Sequence, residues 1–272
     1  MKQLYFLLFS ILLTFNATAQ SNYWSTAEEA TIDVKGTRQI IPNKYRVLQL
    51  DVATFKNHID NAPLEYNTAN SKLTFDLPMP DGSIEQFAIV ESPIMAEGLS
   101  AKFPIIKTYL GQGITNPRAS VRFGWTYKGF HAMVISEKGQ IFIDPYSSNE
   151  REYYISYYKK DFSTNKQFSC HTDEKTDIVE FENNDIPLND SPENAGNQLR
   201  TYRLALACTG EYAQFHGGTV AGALSAMAIT MARVNLIYET EVSVRMVMIA
   251  NNNQLIFLNS GSDPYTNSNG GT

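Results

Sequence analysis

One stretch near the C-terminus restricts the fold more than any other: "TYRLALACTGEYAQFHGGTVAGALSAMAITMARVNLIYETEVSVRMVMIANN", Thr201 to Asn252. Tyr202, Leu204, Leu206 and Cys208 alternate along one face of a strand, with small Ala205 and Ala207 opposite. A short polar turn leads to Thr219, which can cap a helix. Val220, Leu224, Met227, Met231, Val234 and Tyr238 then recur at four-three spacing, placing one apolar stripe along about five turns. The many alanines raise helix propensity and allow close packing on a sheet. "EVSVRMVMIANN" is nearly continuous in apolar residues, as expected of a strand buried on both faces. Strand, helix and buried strand make a βαβ unit that crosses over into a parallel pair. Such a unit cannot stand alone, because its sheet has open edges and only one covered face. The polar "NSGSDPYTNSNGGT" follows with no further element, so residues 200–272 read as a domain cut off part-way.

Residues 40–160 have a different texture, mostly β with one short helix. "KYRVLQLD" alternates as a strand, and "ATFKNHIDNAP" has helical spacing and a proline stop. Leu73, Phe75 and Leu77 alternate, Pro80-Asp81-Gly82-Ser83 turns the chain, and Ile84, Phe87 and Ile89 resume on the return strand. Three more strands lie between Ala119 and Tyr146, turned at Lys128-Gly129 and Lys138-Gly139. The aromatic-rich "EYYISYYKKDF" adds another. The fold class expected is α+β: a mostly antiparallel β-domain over residues 20–170, then the βαβ unit.

Two segments stand outside these domains. Lys2, the apolar "LYFLLFSILLTF" and Ala17-Thr18-Ala19 make residues 1–19 a secretory signal. Its apolar run is shorter than the roughly 20 residues needed to span a bilayer. Nothing further along reads as a membrane helix, the stretch after Thr219 coming nearest, so the cleaved chain is expected to be secreted and free of membrane. Residues 171–199 are acidic and rich in Asn, Pro and Ser; too little apolar surface is available there to offset ordering entropy, so a flexible linker and protease target is expected.

Composition narrows the function. The formal charge is −6 and no basic patch exceeds "YYKK", so a nucleic-acid partner is not expected. The two cysteines, Cys170 and Cys208, cannot build a disulfide scaffold, but export permits a bridge between them.

Catalytic motifs are missing. The histidines are His58, His131, His171 and His216; none sits in an H-E-x-x-H pattern. His58 reads as part of an exposed helix face, His131 as a structural strand residue and His216 as a loop residue before Gly217-Gly218. G-x-S-x-G does not occur, and "GQG" in "YLGQGITNP" lacks the third glycine of a phosphate loop. No catalytic, cofactor-binding or metal-ligating residue is assigned from pattern alone.

The stretch from Tyr202 to Asn269 nonetheless resembles the opening of the catalytic domain in secreted bacterial reprolysin-like zinc metallopeptidases, the adamalysin branch of the metzincins. "LPMPDGSIEQFAIVESPIMAEGLSAKFPIIKTYLGQGI", "GFHAMV", "IDPY" and "YYISYYKKDF" are similar to their propeptides. The resemblance implies a precursor: signal, prodomain over 20–170, linker and the first βαβ of a metzincin-type α/β catalytic domain. Its zinc helix and Met-turn would lie beyond residue 272, leaving this form inactive. Three histidines would hold zinc and a glutamate would act as base on protein or peptide substrates, with maturation between Asn194 and Thr201.

Within that resemblance Cys170 is a candidate inhibitory ligand, its thiolate filling the open position on zinc. "FSCHTDE" lacks the flanking Pro and Gly of the animal enzymes. A Cys170–Cys208 bridge, an unpaired cysteine, or a partner for Cys208 beyond residue 272 stand beside it. Two other functions remain open at this point: an exported, non-enzymatic β-rich binding module, and a stand-alone protease inhibitor derived from a prodomain.

Overall fold

The computed structural model describes residues 23–67, 71–163 and 198–265. The signal, Cys170, His171 and nearly all of the acidic linker lie outside the described residues, as does the chain's last stretch.

The N-terminal part is one antiparallel sheet wrapped around an aromatic core. Its strands are β1 (Trp24–Thr26), β2 (Arg46–Leu50), β3 (Thr74–Pro78), β4 (Ile84–Glu91) and β5 (Lys107–Gly113). β6 (Ser120–Thr126), β7 (Gly129–Ser136), β8 (Gly139–Pro145) and β9 (Tyr153–Tyr158) complete it. The spatial order is β1-β2-β9-β8-β7-β6-β5-β4-β3. The turns expected from sequence are present: Gly82, Gly129 and Gly139 take φ of 92°, 86° and 104°, a region where a side chain would clash. The sheet curls until its ends nearly meet. The Tyr23 hydroxyl accepts from the Asp76 amide at 2.8 Å, and Ser156 Oγ donates to the Pro78 carbonyl at 2.9 Å.

Inside the curl lie Phe75, Phe123, Trp125, Phe130 and Tyr154, closed over by Phe55 and Ile59 of α1 (Val52–Ile59). Asp51 caps that helix, accepting from the amides of Ala53 and Thr54. Strand alternation then decides what faces out. With Val121, Phe123 and Trp125 inside, Arg122, Gly124 and Thr126 of β6 present the opposite face.

The C-terminal part lies on that face. β10 (Arg200–Leu204), α3 (Gly210–Phe215), α4 (Val220–Val242) and β11 (Val244–Met248) form it. β10 and β11 pair in parallel, Tyr202 opposite Met246, as the crossover reading requires. Thr219 caps α4 by accepting from the Gly222 amide at 3.0 Å. Ser243, at φ 52°, ends the helix. Leu224, Met227 and Met231 of the expected stripe are buried, whereas Tyr238 is exposed. Ala226, Ser225 and Asn235, off the stripe, are buried too, because α4 is covered on two sides: by β11 and α3 and by β6 and β7.

That double cover corrects one expectation. By length and composition α4 is apolar enough to cross a membrane, although no such helix was expected. Here its apolar surface serves a shared core. Ile94, Met95, Leu99 and Ile106 from the N-terminal part pack with Leu224, Met227, Met231, Met248 and Ile256.

Other differences have local causes. The first strand stops at Leu204 instead of running to Cys208, because the buried Asn252 side chain takes its place beside Leu206. It accepts from the Leu206 amide at 2.8 Å and donates to its carbonyl at 3.0 Å. The expected polar turn contains α3, capped by Thr209. β11 is not buried on both faces: Arg245 and Met248 are buried while its other three residues are half-exposed. At Met248 its outer edge is paired with the short segment before α2 (Glu97–Ser100). The Met248 amide donates to the Ile94 carbonyl and the Ala96 amide donates to the Met248 carbonyl, both at 2.8 Å. β1, β5 and α2 carry no clear sequence signature.

Candidate functional site

The chemistry-bearing residues gather where the two parts meet. Arg122 projects from β6 and Glu239 from α4. Their Nη2–Oε1 distance is 2.6 Å, and the Arg122 side chain is 0% exposed. Arg245 of β11 donates from Nε to Glu239 Oε1 at 2.6 Å. Its two terminal nitrogens clasp Glu65 at 2.8 and 3.0 Å, a two-pronged geometry suited to guanidinium and carboxylate. Ser92 Oγ donates to Glu65 at 2.6 Å. The relay Arg122–Glu239–Arg245–Glu65 therefore crosses the junction twice, alternating in sign.

Burial and pairing compete along this relay. Burial lowers the Arg122 pKa, and the Glu239 carboxylate opposes it. For Arg245 burial is outweighed by hydrogen bonds to Glu239 and Glu65, so its proton is held more tightly than usual. Burial likewise pushes Glu65 up, but Arg245 and Ser92 bring it below the usual carboxylate range.

A second cluster lies further along α4. Arg233 Nη2 donates to Asp144 Oδ1 at 2.5 Å, and Tyr157 donates to Oδ2 at 2.9 Å. His131 Nε2 stands 3.9 Å from the same carboxylate. Asp144 stays below its ordinary pKa despite burial, chiefly through the Arg233 charge. Burial pushes His131 down to about 4, with Asp144 resisting and Arg233 assisting.

Beside this cluster opens a cavity of about 610 Å³, a size that suits a small-molecule ligand. The N-terminal part lines it with Lys128, His131, Asp144, Ser147 and Arg151; the C-terminal part contributes the α3–α4 loop, including His216. His216 is also held down to about 4, by burial and then by the Lys128 charge.

Residues 198–272 match the family model for metallo-peptidase family M12B, reprolysin-like. The C-terminal segment is reprolysin-like. No curated protein matches the chain. The family is zinc-dependent, but the described residues do not fit a zinc site: nowhere among them do three His, Cys, Asp or Glu side chains stand together as ligands. No step of peptide hydrolysis is derived from them.

The structure brings two of the four histidines together, and sequence reasoning treated both as unremarkable. His131 sits on the outer face of β7 and His216 ends α3 in the reprolysin-like segment, yet both line one cavity. His58 is not on an exposed face: it is half-buried, with Nε2 2.6 Å from the Thr74 carbonyl. Cys208 is a free, buried thiol, raised above its ordinary pKa by burial. Cys170 itself, the candidate zinc ligand, lies outside the described residues. The relay went unread because Glu65, Arg122, Glu239 and Arg245 share no spacing; only β6 alternation placed Arg122 away from the aromatic core.

Proposed function

We propose that the chain is the N-terminal part of an exported zinc endopeptidase precursor, in which residues 20–170 act as a prodomain clamped on the start of the catalytic domain. The observation that carries this reading is the shared core with its buried relay, set beside the family match at 198–272. A module joined to its neighbour only by a tether would not leave Arg122 wholly enclosed by that neighbour's glutamate. The N-terminal part also pairs with the end of the β11 edge at Met248, where unpaired backbone would otherwise be open to another strand. Zinc, protein or peptide substrates and the hydrolytic machinery belong to the parent enzyme, with no described residue assigned to them. Export rests on the sequence of residues 1–19, and inactivity before processing on the clamp.

The test uses the full-length parent with a specific protease site placed between Asn194 and Thr201. Uncut protein should hydrolyse a broad peptide library slowly. Cutting followed by separation of residues 20–170 should raise the rate by at least ten-fold, and adding that piece back should suppress it. Equal rates before cutting and after separation would overturn the reading.

A further inference from the structure

The cavity at the junction is more than a packing gap. Its wall from the N-terminal sheet carries Lys128 and Arg151, and the facing wall is the N-terminal turn of α4, with Thr219, Ala221 and Gly222 lining it. α4 is a 23-residue helix. Its first turn presents amides without intrahelical partners and the positive end of the helix dipole. Thr219 Oγ1 takes only the Gly222 amide.

Independent of the helix, Ser147 lines the same space. It is 2% exposed, and its hydroxyl has no hydrogen-bond partner among the described residues. A buried hydroxyl left unpaired is costly unless something supplies the missing bond. The negative group on the wall is Asp144, and it is already engaged by Arg233 and Tyr157. What remains uncompensated is positive: Lys128, Arg151 and the helix terminus. The two histidines agree with this, since the Lys128 charge helps to hold both of them neutral.

We propose that this cavity binds a small oxyanion, a phosphate or carboxylate group, between Lys128 and Ser147 on one side and the α4 N-terminus on the other. Such a ligand touches both parts of the protein and so binds only while they are docked. By mass action it stabilises the docked arrangement. The inference does not depend on the precursor reading, because the cavity and its charges are properties of the fold.

The experiment titrates the full chain with inorganic phosphate and, separately, with succinate at constant ionic strength and pH 7.5. Isothermal calorimetry reads affinity, and thermal unfolding reads docking. Saturable binding with a rise in Tm is expected for at least one anion. Phosphate alone or succinate alone would identify the source of the oxyanion. Lys128→Gln, which keeps most of the aliphatic stem, should weaken binding about ten-fold or more, and Ser147→Ala should weaken it less. Lys72→Gln, at a lysine that does not line the cavity, should leave it unchanged. Should Lys128→Gln or Ser147→Ala fail to fold, the shift of the His216 ring proton resonances on titrating the unaltered chain provides the second measurement. No saturable binding of either anion, or equal binding by Lys128→Gln and the unaltered chain, would overturn the proposal, as would titration that leaves His216 unmoved.

Discussion

Arg122 of β6 and Glu239 of α4 meet at 2.6 Å across the junction, and no part of the arginine side chain reaches solvent. A charge so enclosed depends on its partner, because desolvation is not recovered anywhere else. Arg122 Nη1 already lacks a partner among the described residues, so the margin is thin.

Glu239→Ala should therefore cost about 3–5 kcal/mol, the usual penalty for breaking a buried pair from one side. The paired change Arg122→Met with Glu239→Leu should cost clearly less, since the enclosed Arg122 charge is gone and Arg245, although it loses Glu239, keeps its two bonds to Glu65. Denaturant midpoints at unchanged m-value would measure both. A loss below about 1 kcal/mol for Glu239→Ala is what a solvent-exposed pair would give, and it would rule out the enclosure.

The β11 edge supplies a cleaner probe. Ala96 has φ −59°, which proline adopts without strain. Met95 before it is in an extended bridge to Met248, the conformation that a following proline requires. Ala96→Pro should therefore delete little beyond the amide that donates to the Met248 carbonyl. The expected loss is about 1 kcal/mol, concentrated at the junction. Hydrogen exchange should show faster opening of β11 and α4, with β6 to β9 nearly unchanged. Uniform acceleration across the sheet would contradict a local role for this bond.

Legibility from sequence followed the range of the physics involved. The hairpins at Gly82, Gly129 and Gly139 were readable because a positive φ and strand alternation are local properties. The parallel β10–β11 pair was readable because a strand, a capped helix and a second strand admit few topologies. The cut at Leu204 was not, because it depends on the Asn252 side chain, 46 residues away from Leu206. The junction was still less accessible: Glu65 and Arg245 are 180 residues apart, and single charges carry no period. Sequence gave the α4 stripe one covered face, and the structure supplies a second cover that no spacing announces. The resemblance to reprolysin-like peptidases located the C-terminal segment correctly, but it could not foresee that His131 and His216 would line one cavity.

Those two histidines set the acid response of the junction. Both are held neutral by burial, their pKa values lowered from 6.5 to about 4. The unfolded chain therefore binds protons that the folded one refuses. Stability they contribute is complete above about pH 6.5 and is lost as pH falls toward 4. For His131, with its side chain 13% exposed, that depression corresponds to about 3 kcal/mol. His216 is less buried and should add a smaller amount. Glu65 and Asp144 have lowered values as well, so their contribution declines mainly below about pH 5, leaving the interval between about pH 6.5 and 5 to the histidines. The groups acting on His131 are Asp144 from β8, Arg233 from α4 and Lys128 at the β6–β7 turn. Thermal unfolding of the full chain from pH 7.5 to 4.5 should show Tm falling with pH, and His131→Gln should flatten that slope by more than half. An unchanged slope in His131→Gln would show that the acid response arises elsewhere.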